Sequence, residues 1–250
     1  MYRRPMSDLL SLTLTELTET LKSKRASPVD LMKAVFAAVD AKNPSLNAIV
    51  AERDREALRK DAKASEERIA RGQGGLLEGI PFGVKDLEDA AGLATTHGSK
   101  PFEDHVPTRD STQVARLKAA GAILFGKTNA PEFGTNAITK NVVFGVTRSP
   151  WDPERTPGGS SGGSAAALAG EMLPLVTASD GGGSIRIPAS FVGAFGLKPS
   201  FGRVPRGPFE NWFHGATVCY GPLTKTVEDG ALFLDVVAGY DAHDPTSLPD

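Results

Sequence analysis

The sequence has little of three things that would point to a specialised class of protein. Its 250 residues include a single cysteine, Cys219, so no internal disulfide can form and no cysteine cluster is available for a metal. The formal net charge is only −2, which predicts no basic surface for nucleic acid or anionic membranes. No apolar run approaches the ~18 residues of a membrane span, and the opening MYRRPMSDLL lacks the apolar core of a secretory signal. We therefore expect a cytoplasmic protein that acts on small molecules, without nucleic-acid or membrane partners.

What the sequence does have is an ordinary globular composition, with 40% apolar and 23% charged residues, and a regular succession of elements. We predict a helical region over residues 1–75 and an α/β core over 76–250. The predicted helices cover residues 8–24, 51–71, 111–120, 164–170 and 226–238, the last with a T-x-x-D capping box. A further helix is predicted to begin after Ser27 as its cap, with Pro28 and Asp30 in its first turn. The predicted strands cover 80–84, 122–126 and 173–179. This alternation favours a sheet between layers of helices.

A glycine-rich stretch, PGGSSGGSAAALAG over residues 157–170, is the strongest local signal of a site. It is not a phosphate-binding loop, because Ser164 and Ala165 stand where the lysine and hydroxyl of that motif belong. Gly158, Ser160 and Gly162 satisfy the G-x-S-x-G elbow of an α/β-hydrolase, with Ser160 as nucleophile. That elbow must follow a strand, and SPWDPERTP carries three prolines in nine residues. A flexible turn that caps the alanine helix is the other interpretation.

Two further stretches carry candidate chemistry. In SDGGGS (179–184), three glycines offer consecutive backbone N–H groups beside Ser184, as an oxyanion hole and its nucleophile require, although a simple turn has the same composition. Lys85 follows the apolar strand 80–84, where it either reaches solvent or lies buried. A buried lysine serves as a base when neutral, and lowering its pKa from about 10.4 to near 7 costs about 4.6 kcal/mol. The histidines are isolated and less suited to this role: His97, His105, His214 and His243.

Four motifs, GVKD (83–86), PGGSSGGSAAA (157–167), SDGGGSIRIPASFVGAFGLKPSFGRV (179–204) and GPLTKTVED (221–229), together resemble the amidase signature family of serine hydrolases. The resemblance implies a mixed sheet sandwiched between helices and a cis peptide bond before the bridging serine. Because the sequence has no metal-ligand cluster and no complete nucleotide-binding motif, we expect no metal and no cofactor. It also implies a serine, serine, lysine triad, with Lys85 as base, Ser160 as the bridging serine and Ser184 as the acyl nucleophile. The expected oxyanion and substrate contacts are the backbone N–H groups of Gly181, Gly182 and Gly183, and Gly134.

The segment APEFGTN (130–136) resembles the free amidases more than the related subunits of the glutamyl-tRNA amidotransferases, which commonly read MDEFAMG there. Members of the family are about twice as long as this chain. The resemblance therefore implies a fold incomplete at its C-terminal side, with a sheet edge and an apolar face left open. We expect a small-molecule amide as substrate and either a homo-oligomer or a missing C-terminal half as partner. A truncated or split protein that binds without catalysis is the alternative.

Overall fold

The structure is a computed structural model that describes residues 9–208 and 217–249, so His214 lies outside the described residues. The α-helices within these ranges are α1 (Leu14–Lys22), α2 (Pro28–Leu46), α3 (Arg55–Ala70), α4 (Thr112–Ala119), α5 (Gly162–Ala169), α6 (Arg186–Val192) and α7 (Val227–Val237). The strands are β1 (Ile49–Glu52), β2 (Pro81–Lys85), β3 (Ile123–Thr128), β4 (Lys140–Asn141), β5 (Gly145–Val146), β6 (Leu175–Val176), β7 (Ser179–Asp180), β8 (Phe195–Gly196), β9 (Cys219–Tyr220) and β10 (Leu223–Thr224).

The first two helices begin where side chains satisfy otherwise unpaired backbone N–H groups. At α1, the Thr13 hydroxyl accepts the N–H of Glu16 at 3.1 Å, and the Glu16 carboxylate accepts the N–H of Thr13 at 2.9 Å. Ser27 and Asp30 form the same reciprocal pair at α2, with distances of 3.0 and 3.3 Å. The capped start that the sequence predicts at Ser27 is therefore confirmed.

The surface helix predicted over residues 51–71 begins later than expected. Asp54 caps α3 by accepting the N–H of Ala57 at 2.8 Å, and the helix runs from Arg55 to Ala70. The preceding residues form strand β1, in which Ile49 lies opposite Thr128 of β3. The predicted start was wrong because the pairing partner of β1 is distant in the sequence.

The central sheet has the strand order β1-β3-β2-β6. Strands β2, β3 and β6 are parallel and β1 runs antiparallel to β3, so the sheet is mixed. Every residue of β2 and β3 is buried, as in a sheet covered by helices, and α3 and α5 both pack against it. The predicted α/β fold with a mixed sheet among helices is confirmed, with β2 and β3 ending one or two residues later than predicted.

The segment predicted as one strand over 173–179 is divided in two. Leu175 and Val176 form β6 at the edge of the central sheet, whereas Ser179 and Asp180 form β7, which pairs with β9 and sets Ser179 opposite Tyr220. Both residues of β6 are fully buried, although β6 is the last strand of the described central sheet.

Helix α7 confirms the predicted segment at 226–238, but its capping box is incomplete. The Thr226 hydroxyl accepts the N–H of Asp229 at 3.2 Å. The Asp229 carboxylate instead accepts the backbone N–H and hydroxyl of Thr15, at 2.9 and 3.0 Å. Asp229 therefore ties α7 to the start of α1. None of the described helices combines the length and apolar character needed to cross a membrane.

Candidate active site

Lys85 ends strand β2 with its side chain buried, since only 1% of the residue is exposed. Its ammonium nitrogen Nζ lies 2.8 Å from Ser160 Oγ and 3.0 Å from Ser179 Oγ. The carbonyl oxygen of Ser179 is also within reach, at 3.5 Å. The hydrogen-bond partners of Nζ are thus two hydroxyls and a carbonyl. All three can accept from an ammonium ion, and a hydroxyl can also donate to a neutral amine.

The environment of Lys85 favours its neutral form. Burial lowers the pKa of Lys85 from 10.5 to about 7, although the carboxylates of Glu88 and Asp180 act in the opposite direction. A substantial fraction of the side chain is therefore an unprotonated amine at neutral pH. A base with its pKa near the working pH is well suited to proton transfer.

The glycine-rich loop presents Ser160 to this amine. The peptide bond between Gly159 and Ser160 is cis, as the family resemblance implies, and Ser160 is buried. Gly158, at φ +85°, has a backbone conformation that favours glycine. A Cβ on Gly163 would lie 2.2 Å from the backbone nitrogen of Asn129, so only glycine lets the start of α5 pack against the end of β3.

Ser184 lies half-buried in the turn between β7 and α6. Its carbonyl oxygen accepts the N–H of Ser161 at 3.2 Å, which joins this turn to the loop that carries Ser160. The structure therefore brings Lys85 and Ser160 into direct contact and places the Ser184 turn against them.

A buried carboxylate, Asp180, holds the shape of the Ser184 turn. It accepts the N–H groups of Gly183 and Ile185 at 2.7 and 3.1 Å and pairs with the Arg186 guanidinium at 2.9 Å. Burial raises the pKa of Asp180, but the Arg186 guanidinium and the backbone N–H groups outweigh it and hold the pKa at about 2. Asp180 is therefore ionised near neutral pH.

These bonds correct one expectation about the oxyanion site. Because the Gly183 N–H already donates to Asp180, it is not available to a substrate oxygen. Gly181 and Gly182 are exposed and remain the candidate donors. Gly134 lies beside Ser160, since a Cβ there would be 3.2 Å from Ser160 Oγ, and its contact with a substrate stays a prediction.

Sequence reasoning missed Ser179, Asp180 and Arg186 as parts of this site. The signal was present in SDGGGSIR, where two polar residues follow a buried apolar segment. A polar side chain next to a buried strand needs a partner, which is how these three residues could have been found.

The described histidines lie in two places, His97 and His105 beside the loop after β2 and His243 near the end of the described chain. The rings of His97 and His105 stack with a centroid distance of 6.4 Å in a cluster that includes Phe102 and Phe133. His243 lies at the surface beside Asp241. The α/β-hydrolase interpretation also loses support, because residues 147–161 contain no strand to carry the elbow at Ser160.

A cavity of about 440 Å³ adjoins the site, and its lining includes Leu87, His97 and Tyr220. Lys85, Ser160 and Ser184 are not among its lining residues. The cavity nevertheless lies against residues that neighbour the candidate catalytic residues on two sides. Leu87 lies against Gly134, and Tyr220 pairs with Ser179 in the β7–β9 ladder.

Comparison with known proteins gives consistent matches. The model of the family described as Amidase matches residues 30–250. The chain is 45% identical over 241 residues to a glutamyl-tRNA(Gln) amidotransferase subunit from Carboxydothermus hydrogenoformans, covering 96% of this chain and 49% of that protein. It is 43% identical over 242 residues to an acylamidase from Rhodococcus erythropolis, covering 95% of this chain and 50% of that protein.

Solved structures agree in fold. A bacterial aryl acylamidase of the amidase signature family superposes with a TM-score of 0.90 at 37% identity, over 96% of this chain and 50% of that one. A 6-aminohexanoate cyclic dimer hydrolase, solved with its substrate, superposes with a TM-score of 0.88 at 34% identity, over 97% of this chain and 49% of that one. The chain spans about half the length of the relatives it matches. With a family match over most of its residues and these identities, the chain belongs to the Amidase family of amidase signature proteins.

Proposed function

We propose that this chain hydrolyses carboxylic amides, releasing an acid and ammonia or an amine, with Ser184 as the nucleophile. The observation that carries the proposal is the 2.8 Å contact between the buried Lys85 amine and Ser160 Oγ, beside the turn that holds Ser184. Membership of the Amidase family supports the same reaction.

The acylation step needs a base that removes the proton of Ser184. In the proposed path, neutral Lys85 accepts the proton of Ser160, and Ser160 accepts the proton of Ser184 as its oxygen attacks the amide carbonyl. The tetrahedral intermediate collapses by breaking the C–N bond, and the proton held by Lys85 returns through Ser160 to the leaving nitrogen. The leaving group departs as ammonia or an amine, and Ser184 carries the acyl group.

Deacylation reverses these transfers with water as the nucleophile. Water gives its proton to the relay while its oxygen attacks the acyl carbonyl, and the ester bond to Ser184 breaks. The proton returns to Ser184, and the acid is released. In both steps the negative oxygen lies against the N–H groups of Gly181 and Gly182, and such donors contribute roughly 3 to 4 kcal/mol each in known cases.

The substrate is proposed as a small-molecule amide bound in the cavity that Leu87 and Tyr220 line. The relatives include both an acylamidase and a subunit of an amidotransferase, and their identities to this chain are nearly equal, so identity does not separate the two classes. The segment APEFGTN favours the free amidases. As partner we propose either a second copy of this chain or a polypeptide equivalent to the second half of the longer relatives.

Covalent labelling tests the nucleophile without depending on a complete substrate pocket. A fluorophosphonate probe should form one adduct, which peptide mass mapping should locate on Ser184. Ser184→Ala should abolish the adduct, and Lys85→Met and Ser160→Ala should slow its formation by roughly 10²-fold or more, since each removes a proton-transfer partner.

Ser190→Ala is the matched control, because Ser190 is an exposed serine of the neighbouring helix α6, and this variant should label like the parent. An adduct on Ser160 would overturn the proposal in favour of a hydrolase elbow. Absence of any adduct in the folded chain would favour the non-catalytic alternative.

A further inference from the structure

Four aromatic side chains that the proposed relay does not use form a continuous group beside the candidate site: His97, Phe102, His105 and Phe133. The rings of His105, His97 and Phe133 form a stack, with centroid distances of 6.4 and 6.0 Å between successive rings. The Phe102 ring lies edge-on to all three, with centroid distances between 5.5 and 6.3 Å. These are favourable arrangements of aromatic rings. We call the four residues the aromatic wall.

One end of the aromatic wall lies next to the candidate triad. Phe133 directly precedes Gly134, and a Cβ on Gly134 would lie 3.2 Å from Ser160 Oγ. Further along the wall, His97 and His105 are lining residues of the cavity of about 440 Å³. The wall therefore connects the surroundings of Ser160 with the cavity in which we place the substrate.

Hydrogen bonds fix the aromatic wall to the end of the strand that carries Lys85. Asp86, the residue after Lys85, accepts the backbone N–H of Thr96 at 3.0 Å and also accepts from the Thr96 hydroxyl. Thr96 precedes His97, and the carbonyl of His97 accepts the backbone N–H of Phe133 at 2.8 Å. The two stacked residues are thus held in place relative to the proposed base.

His97 and Phe133 both have a backbone conformation that costs free energy. Their φ angles are +52° and +49°, in the left-handed region that a bulky residue such as phenylalanine rarely adopts. The Phe133 ring gains little burial in return, because 52% of the residue is exposed. A strained backbone that presents an exposed ring does not serve the stability of the fold, and it is typical of residues that contact a ligand.

The chemistry of the aromatic wall suits an uncharged, flat group. Phe102 and Val106 are exposed along with Phe133, so the accessible surface is apolar. Burial lowers the pKa of His97 from its usual 6.5, and its imidazole is therefore uncharged at neutral pH. Charged residues of both signs line other parts of the cavity in equal number, so they favour neither an anionic nor a cationic substrate: Asp89, Asp110, Arg109 and Arg206.

We propose that the aromatic wall selects the substrate, by binding a flat apolar group of the amide, such as a phenyl ring, against Phe133 and His97. The inference rests on the proposed hydrolysis for the reaction that follows, whereas binding of the ring depends on the wall alone. Phe133 and His97 contact the substrate, and Asp86 and Thr96 are positioning residues that act through His97. The ring lies on either side of the amide C–N bond.

The decisive variant is Phe133→Asn, which removes the ring and introduces a residue that adopts a positive φ more readily. It should unfold at the same or a higher urea concentration than the parent, while it binds aromatic amides more weakly. Phe133→Tyr keeps the ring and should bind like the parent. The matched control is Tyr240→Ala, at an exposed aromatic residue outside the wall. A destabilised Phe133→Asn with unchanged affinity would assign Phe133 to the fold and overturn the proposal.

The direct measurement is an NMR titration of the ¹³C-histidine-labelled Ser184→Ala chain, which leaves the amides intact. The probes are benzamide, acetanilide and acetamide, and the His97 signal is assigned by its loss in His97→Gln. Benzamide or acetanilide should shift this signal with an affinity at least about tenfold above that of acetamide, and Phe133→Asn should remove most of the difference. Tyr240→Ala should retain it.

Two results of this titration would overturn the proposal. One is equal affinity for the three amides, or a preference that Phe133→Asn leaves unchanged. The other is a His97 signal that responds to protein concentration and not to the amides, which would assign the aromatic wall to a contact with a second polypeptide.

Protection of Ser184 separates this proposal from the proposed hydrolysis. In the parent chain, the better-bound aromatic amide should slow fluorophosphonate labelling at least about fivefold at a concentration at which acetamide does not, and Phe133→Asn should lose this protection. Labelling that the bound aromatic amide does not slow would place the ring away from the nucleophile and overturn the proposal. If no chain is labelled, the proposed hydrolysis fails, but the NMR affinities still decide whether the wall binds aromatic amides.

Discussion

Lys85 shows how one buried amine couples the site to the stability of the protein. Its pKa is 10.5 when exposed and about 7 in the folded chain, so the unfolded chain binds more protons between these values. The free energy of unfolding therefore rises with pH across this interval. The free-energy cost of burying the amine is about 5 kcal/mol for a pKa difference of this size. This cost is fully present below about pH 7 and disappears above about pH 10.5.

We accordingly predict that Lys85→Met stabilises the fold while it removes the proposed base. The gain in the free energy of unfolding should reach at most about 5 kcal/mol at pH 6 and should shrink steadily as the pH approaches 10, as urea unfolding at several pH values would show. Lys63→Met, at an exposed lysine of α3, is the control and should change little. A destabilised Lys85→Met variant at pH 6 would contradict this account.

The residues of the site differ in how well the sequence alone predicts them. Lys85, Ser160 and Ser184 could be proposed from three short motifs, and the structure brings the first two into contact although 75 residues separate them. Their catalytic roles stay proposals. Thr177, whose hydroxyl accepts the N–H of Lys85 at 3.0 Å, could not be found in this way, because this contact depends on which side chains the fold brings to the end of β2.

The elements were predicted best where local signals decide the structure. Caps and apolar runs gave the start of α2 and the bounds of α4, β2 and β3 within one or two residues. The start of α3 was wrong, because pairing with β3 draws residues 49–52 into a strand despite a helical composition nearby. Pairing between distant segments leaves no local mark in the sequence.

Helix α5 depends on close contact between its first turn and the end of β3. We predict that Gly163→Ala lowers the free energy of unfolding by about 3 kcal/mol, since the added Cβ would lie 2.2 Å from the Asn129 backbone nitrogen and 2.8 Å from the Ala48 carbonyl oxygen. Gly182→Ala is the matched control, because no atom lies within 4 Å of a Cβ there, and it should unfold like the parent in urea. Equal stability of the two variants would show that α5 adjusts more freely than the packing suggests.

At the scale of the whole molecule, the sheet joins the two predicted regions of the chain. Strand β1, from the region 1–75, pairs with β3, from the region 76–250, so the division at residue 75 stays a prediction. Although β6 is buried, large apolar side chains are exposed elsewhere, with 69% of Trp151 and 55% of Phe191 accessible around a cavity of about 430 Å³. Adjoining exposed aromatic residues favour association.

We therefore expect the isolated 250-residue chain to self-associate and to hydrolyse amides weakly, since it spans about half the length of its relatives. The double variant Trp151→Ser with Phe191→Ser should lower the association constant at least about tenfold in sedimentation equilibrium. Tyr240→Ser, at a residue with 61% exposure, is the control and should associate like the parent. A monodisperse monomer with rapid amide turnover would contradict this expectation.

The register between β2 and β3 has a consequence for insertions and deletions. Lys85 lies opposite Thr128, and Lys127 lies opposite Val84, so the two buried lysines point to opposite faces of the sheet. The register shifts between Phe82 and Gly83, which sets this alternation. Loss or gain of one residue in either strand would turn its lysine to the other face. Insertions and deletions in β2 and β3 should therefore be tolerated far less than substitutions of the apolar residues of these strands. A length change would move the buried amine of Lys85 or of Lys127 to the wrong face of the sheet.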